Sequence, residues 1–230
     1  MAEATGRGEA EVVKLGIMRR AMVRRTVEGA AVPCFYLRLT ADVTDLLAAR
    51  RALPDPPDGA RKPTVNDFVL RAAGLGLRAH PGVNASYEEG TVVTYSRVNV
   101  GVAMAVPGGL VVPAVYDADA KSLAEIARAV RDAADLAQRR KLSRELLQDA
   151  TFTVSNLGMF GVEDFDPIIN PPQAAILGVG TATTDAAGRS RMRLALGCDH
   201  RVLTGAEGAP FLADLRDRLE APQGLLTVDH

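Results

Sequence analysis

TFTVSNLGMFGVEDFDPIINPPQAAILGVG, residues 151–180, is the stretch on which the fold turns. Thr151 to Ser155 reads as a strand, and Asn156 to Gly161 as a loop bounded by glycines. Ile168-Ile169-Asn170-Pro171-Pro172 ends a second extended piece, and Ala174 to Thr184 is apolar and strand-like. Two strands with an irregular connection between them already point away from a regular alternation of helix and strand.

Next toward the C-terminus lies RMRLALGCDHRVLTGAEGAPF, residues 191–211. Met192, Leu194, Leu196 and Cys198 alternate along one face of a strand. The strand runs into Asp199, His200 and Arg201, and after Thr204-Gly205 a helix opens that carries Phe211, Leu212, Leu215 and Leu219. His200 therefore sits where a strand passes into a loop, the kind of scaffold-held position at which catalytic groups concentrate. The chain has three histidines; His230 is its last residue, and His80 precedes Pro81 at a helix end. On this stretch alone His200 reads as a hydrogen-bonded structural histidine, with a catalytic role as the alternative. Asp199 and Arg201 are either an ion pair that fixes the loop or ordinary surface charge. Cys198 is two residues before His200, so a Cys–His nucleophilic pair is conceivable, although a cysteine ending an apolar strand is ordinarily a small buried hydrophobe.

Upstream, Leu15 to Val27 predicts an amphipathic helix with arginines between its apolar positions. Cys34 to Leu39 predicts a strand, and Thr40 or Asp42 caps a helix carrying Val43, Leu46 and Leu47. PDPPDG, 54–59, is a loop. Thr64 and Asp67 open a third helix that ends at His80-Pro81. Val98 to Val106 predicts one strand with a face of small residues, against which something packs closely. Pro113 demotes the returning run 110–116 to an edge or bulged strand. Ser122 with Glu125 caps a long helix, and Ser143 a shorter one. Arg139, Arg140 and Lys141 suit a solvated helix C-terminus, with contact to a ligand phosphate as the lesser alternative. The inventory favours an α+β layered domain.

Lys+Arg 27 against Asp+Glu 28, with no basic block, argues against a nucleic-acid partner. No apolar run is long enough to cross a bilayer, so no membrane contact is expected, and the start lacks a signal-peptide core; a cytoplasmic location is the default expectation. The two cysteines lack zinc-ligand spacing, and no metal is expected. Residues 1–14 are expected to be a disordered tail, and residues 15–230 a single domain.

The run Thr151–Gly180 closely resembles the signature region of the catalytic domain of dihydrolipoamide acyltransferases, the cores of 2-oxoacid dehydrogenase complexes. DHRVLTGAEGAPFL, 199–212, resembles the same family's active-site segment H-R-x-x-D-G, and the likeness extends from about Leu15 to Leu226. The resemblance implies a chloramphenicol acetyltransferase-like fold: an α+β two-layer sandwich, a mixed sheet with helices on one side, active as a homotrimer or trimer-based assembly with sites between subunits. It implies His200 as general base, Ser155 as the oxyanion donor, and coenzyme A, as acetyl-CoA, as acyl donor. Thr204 stands where the family pattern has Asp, and a polar stand-in there is expected to suffice. Nothing in the chain resembles a lipoyl domain, so no covalent lipoyl group is expected on it. From those two departures we expect an acetyltransferase acting on the hydroxyl of a small molecule, such as a hydroxymethyl tetronate in polyketide biosynthesis. The alternatives are a dihydrolipoamide acyltransferase core serving lipoyl groups of another chain, and a non-catalytic trimeric scaffold.

Overall fold

The computed structural model describes residue 8, residues 10–55 and residues 61–227. The expected tail over 1–14 and the loop over 54–59 fall largely outside the described residues, as does His230. The spine is a six-stranded sheet. Across it the strands run β1 (Cys34–Asp42), β10 (Ser190–Asp199), β9 (Ala175–Thr184), β8 (Phe152–Asn156), β4 (Val100–Val102) and β7 (Ala114–Val115). β8 is parallel to both its neighbours and the remaining pairs are antiparallel, so the sheet is mixed.

Period-two alternation decides what each face does. Phe152, Val154, Leu177, Leu194, Leu196 and Cys198 point to one side, where helices α2 (Thr44–Ala52), α3 (Val65–Ala79), α4 (Leu123–Gln138) and α6 (Gly205–Glu220) bury their apolar residues. Each fully buried Leu or Phe there is worth about 1.5–3 kcal/mol of transfer free energy. α3 and α4 begin with the capping boxes that Thr64/Asp67 and Ser122/Glu125 predict. The other face carries Tyr36, Thr153, Ser155, Ile176, Gly178 and Gly197. It is covered near Gly178 by the connection from β8 to β9. A Cβ on Gly178 would stand 3.0 Å from Pro167, and one on Gly180 would stand 2.0 Å from the Glu163 carbonyl oxygen, so glycine at 180 lets this connection lie flat on the sheet. The Tyr36 hydroxyl donates to the Pro167 carbonyl at 3.0 Å and holds it there.

Three expectations are revised. The strand expected over 98–106 breaks at Ala103: the Ala103 N–H donates to Val154, and the chain then leaves the sheet as β5 (Met104–Val106), pairing with β6 (Gly109–Val111). Pro113 does split the return, and β7 is the sheet edge, where a missing N–H goes unnoticed. The sequence reading assigns no element to residues 82–97, yet β2 (Ala85–Glu88) and β3 (Thr91–Thr94) form a hairpin. Its turn places Glu89 at φ 45° and Gly90 at φ 87°, a two-residue turn without the usual Asn-Gly signal. Finally α1 (Ile17–Ala30) forms as expected, but Gly29 is its buried residue, while Val23 and Val27 stay exposed. Among the described residues no helix is long and apolar enough to cross a membrane.

Candidate active site

His200 follows the last residue of β10 and its side chain is exposed. Its backbone N–H donates to the Pro33 carbonyl at 2.9 Å, and its ring lies 4.7 Å from the Phe35 ring at 52°. The flanking residues do form an ion pair. Arg201 Nε donates to Asp199 Oδ1 at 2.9 Å and Nη2 to Oδ2 at 2.7 Å, while the Arg201 backbone N–H also donates to Oδ1. The Asp199 side chain is 1% exposed and that of Arg201 partly exposed, so the bidentate pair clamps both sides of His200 with its carboxylate end out of water. It raises the affinity of Arg201 for its proton, chiefly through the hydrogen bond to Asp199. A pocket of about 230 Å³ opens beside the clamp, lined among others by Tyr87, Pro171, Pro172 and Gln173. Neither Tyr87 nor Gln173 is singled out by the sequence reading. Tyr87 belongs to the unanticipated hairpin, and Gln173 closes the N-P-P-Q run with its amide oxygen 2.6 Å from the Thr153 hydroxyl.

Ser155 is half-buried on β8, on the sheet face away from the helices, and pairs with Gly178. Gly178 in turn pairs with Ala195 on β10, and His200 lies five residues beyond Ala195. At about 3.3 Å per residue along a strand and about 4.8 Å between strands, one chain holds Ser155 and His200 about 20 Å apart. The structure therefore does not bring these two together within one chain. Thr204 is four residues from His200 and is the N-cap residue of α6. Its backbone N–H and its hydroxyl both donate to the same Glu207 oxygen at 2.8 Å, which holds the Glu207 carboxyl below its ordinary range. Arg139 lies past the end of α4, exposed, 3.7 Å from Asp135. No cluster of three or more His, Cys, Asp or Glu able to hold a metal occurs among the described residues.

Cys198 is fully buried among the helix-facing residues, and desolvation pushes its thiol up to about 12. At neutral pH about one such thiol in 10⁵ is ionised, so a Cys–His pair has no nucleophile. Iodoacetamide at pH 7 is expected to leave Cys198 unlabelled in the folded protein and to label it after denaturation, as peptide mass spectrometry will read. Labelling at equal rates in both states would contradict the burial argument.

The sequence model of the 2-oxoacid dehydrogenases acyltransferase (catalytic domain) family matches residues 7–227. The dihydrolipoyllysine-residue acetyltransferase component of the pyruvate dehydrogenase complex of Rhizobium meliloti is 37% identical over 232 aligned residues, covering 95% of this chain and 52% of that protein. The chain thus spans about half the length of the curated relatives it matches. Among solved structures, the dihydrolipoamide acetyltransferase of Azotobacter vinelandii superposes with a TM-score of 0.90 at 31% identity, covering 96% of each chain. That work concerned the roles of a serine, a histidine and an asparagine four residues beyond the histidine. The cubic core of a pyruvate dehydrogenase multienzyme complex gives 0.90 at 32% identity, covering 96% of this chain and 95% of that one. A chloramphenicol acetyltransferase, at 13% identity, gives 0.55 over 91% of this chain and 99% of that one, and establishes the shared fold.

These relatives correct the expected acceptor. The small-molecule hydroxyl, the hydroxymethyl tetronate and the polyketide setting are overturned by relatives that are dihydrolipoyllysine-residue acetyltransferases at 35–37% identity. The expectation leaned on Thr204 as a departure from Asp. In the Azotobacter protein an uncharged residue, asparagine, occupies the same offset from the histidine, so loss of the charge there does not mark an alcohol acceptor.

Proposed function

Because the chain belongs to the 2-oxoacid dehydrogenases acyltransferase (catalytic domain) family, we propose that it transfers an acetyl group between coenzyme A and the dihydrolipoyl thiol of a lipoyl-bearing protein segment. The observation that carries the reading is His200, exposed at the end of β10 and clamped by the bidentate Asp199–Arg201 pair. A general base must be both reachable and oriented. His200 takes the proton of the attacking thiol as its sulfur adds to the thioester carbonyl. The tetrahedral oxyanion then collapses, the bond to the departing CoA sulfur breaks, and the imidazolium returns its proton to that sulfur. Ser155 donates to the oxyanion, where a placed hydroxyl is worth most. Since one chain holds Ser155 about 20 Å from His200, the serine comes from a neighbouring copy, and we propose a trimer or an assembly built from trimers. Thr204 acts at one remove, by holding the start of α6 behind the histidine turn.

The test supplies acetyl-CoA with a lipoylated domain, with free dihydrolipoamide and with hydroxyl compounds, following CoA release. Release with the dihydrolipoyl substrates, accompanied by an acetyl adduct on the lipoyl group, is the expected result. No release with any dihydrolipoyl substrate would refute the reading.

A further inference from the structure

We infer that Tyr87 is a positioning residue for the general base, its ring acting as the platform that holds the Arg201–Asp199 clamp around His200. The Arg201 guanidinium carbon lies 4.1 Å from the Tyr87 ring centroid, well within cation–π range. The arginine side chain is 38% exposed while its carboxylate partner is 1% exposed. Water therefore competes for the arginine, and the ring is what covers it. Without that cover the guanidinium gains freedom to leave, and Asp199 would keep a buried charge with its strongest partner gone. Asp199 also organises the turn through its carbonyl, which accepts from the N–H groups of Val202 and Leu203, so loosening of the clamp passes directly to His200.

Tyr87 is itself rigidly held, as a platform must be. Its backbone N–H donates to the Pro172 carbonyl, and the neighbouring Ser86 bridges to Gln173. The Ser86 hydroxyl lies 2.8 Å from the Tyr95 hydroxyl just past β3, tying the two arms of the hairpin together, and 3.0 Å from the Glu88 carboxylate on its own strand. The same connection reaches the base from behind. Ala174 N–H donates to Ala85, and Asp199 N–H donates to Ala174, both at 2.8 Å. The hairpin and the histidine turn, more than 100 residues apart in sequence, are thus one hydrogen-bonded unit in which the aromatic ring is the lateral stop.

The inference rests on His200 being the base in the proposed transfer, so the experiment has two readouts. In the acetyl-transfer assay, Tyr87→Leu is expected to lower kcat about tenfold with little change in KM for acetyl-CoA, the scale of a small misplacement of a catalytic group. Tyr87→Phe and Tyr87→Trp, which keep an aromatic face, are expected to stay near wild type. Independently of any acceptor, modification of His200 by diethyl pyrocarbonate, resolved by peptide mass spectrometry, is expected to become about threefold faster in Tyr87→Leu, the size of one partly exposed cation–π contact. Arg201→Lys, which keeps the charge but loses the planar stack, is expected to repeat both changes and serves if Tyr87→Leu does not fold. If the wild type transfers nothing to lipoyl substrates, the proposed function fails and the His200 modification rates alone decide this inference. Wild-type values of both readouts in Tyr87→Leu, or a loss in Tyr87→Phe as large as in Tyr87→Leu, would overturn it.

Discussion

His200→Ala is expected to lower acetyl transfer by about 100- to 10,000-fold, the range that a positioned general base contributes. The fold should survive the change. The side chain is exposed, its backbone bond to Pro33 does not depend on the imidazole, and the turn is held by Asp199 and Arg201 rather than by the histidine itself. What is lost on packing grounds is the contact with the Phe35 ring at 4.7 Å, which is small beside the apolar core beneath it. The loss should therefore appear in kcat, with thermal unfolding close to wild type. Among the described residues no other histidine is placed to substitute. His80 is at the end of α3, 3.4 Å from Asp214 and against Phe211. Turnover near wild type in a folded His200→Ala protein removes His200 from the mechanism.

Ser155→Ala should cost about 100- to 1,000-fold if its hydroxyl faces the oxyanion, and the sheet register makes the combination of the two variants more informative than either. One chain places the two side chains about 20 Å apart, so under the proposed mechanism a working site takes its histidine from one copy and its serine from another. Co-refolding of His200→Ala chains with Ser155→Ala chains in equal amounts should then restore activity to about one quarter of wild type, because about one site in four in a randomly mixed symmetric ring joins an intact His200 to an intact Ser155. Each variant alone stays at its low value. A mixture that remains as inactive as its components would overturn the shared site, and a Ser155→Ala protein with near wild-type turnover would remove Ser155 from the chemistry.

The features legible from residues alone are those decided within a few positions of chain. The capping boxes at Thr64/Asp67 and Ser122/Glu125 and the cap at Ser143 are contacts between neighbours three residues apart, so the residues that make them are adjacent in the sequence. The alternation of Met192, Leu194, Leu196 and Cys198 is local as well, and all four side chains are buried. The run Thr151–Gly180 and the segment that opens with Asp199, His200 and Arg201 carried the resemblance to the family and gave the candidate base, and the ion pair of the residues flanking His200 needed a reach of two residues only.

Tertiary structure decided what depends on distant partners. Val98 to Val106 carries an unbroken strand pattern, yet it is split because Val154 and Pro113 accept its N–H groups and turn the chain aside. Thr204 reads as a polar stand-in for the family's Asp, and the structure shows its hydroxyl and backbone N–H both donating to Glu207. Tyr87 carries no motif; it matters only because pairing of β2 with β3 and the tether to Pro172 bring its ring over an arginine 114 positions away. Above all, Ser155 and His200 each read as a site residue, while their separation is a property of register across β8, β9 and β10. Composition and periodicity determine that a strand forms and which face it buries; which residue of a neighbour it meets is set by long-range hydrogen bonds and packing, and that meeting sets how far apart Ser155 and His200 stand in one chain.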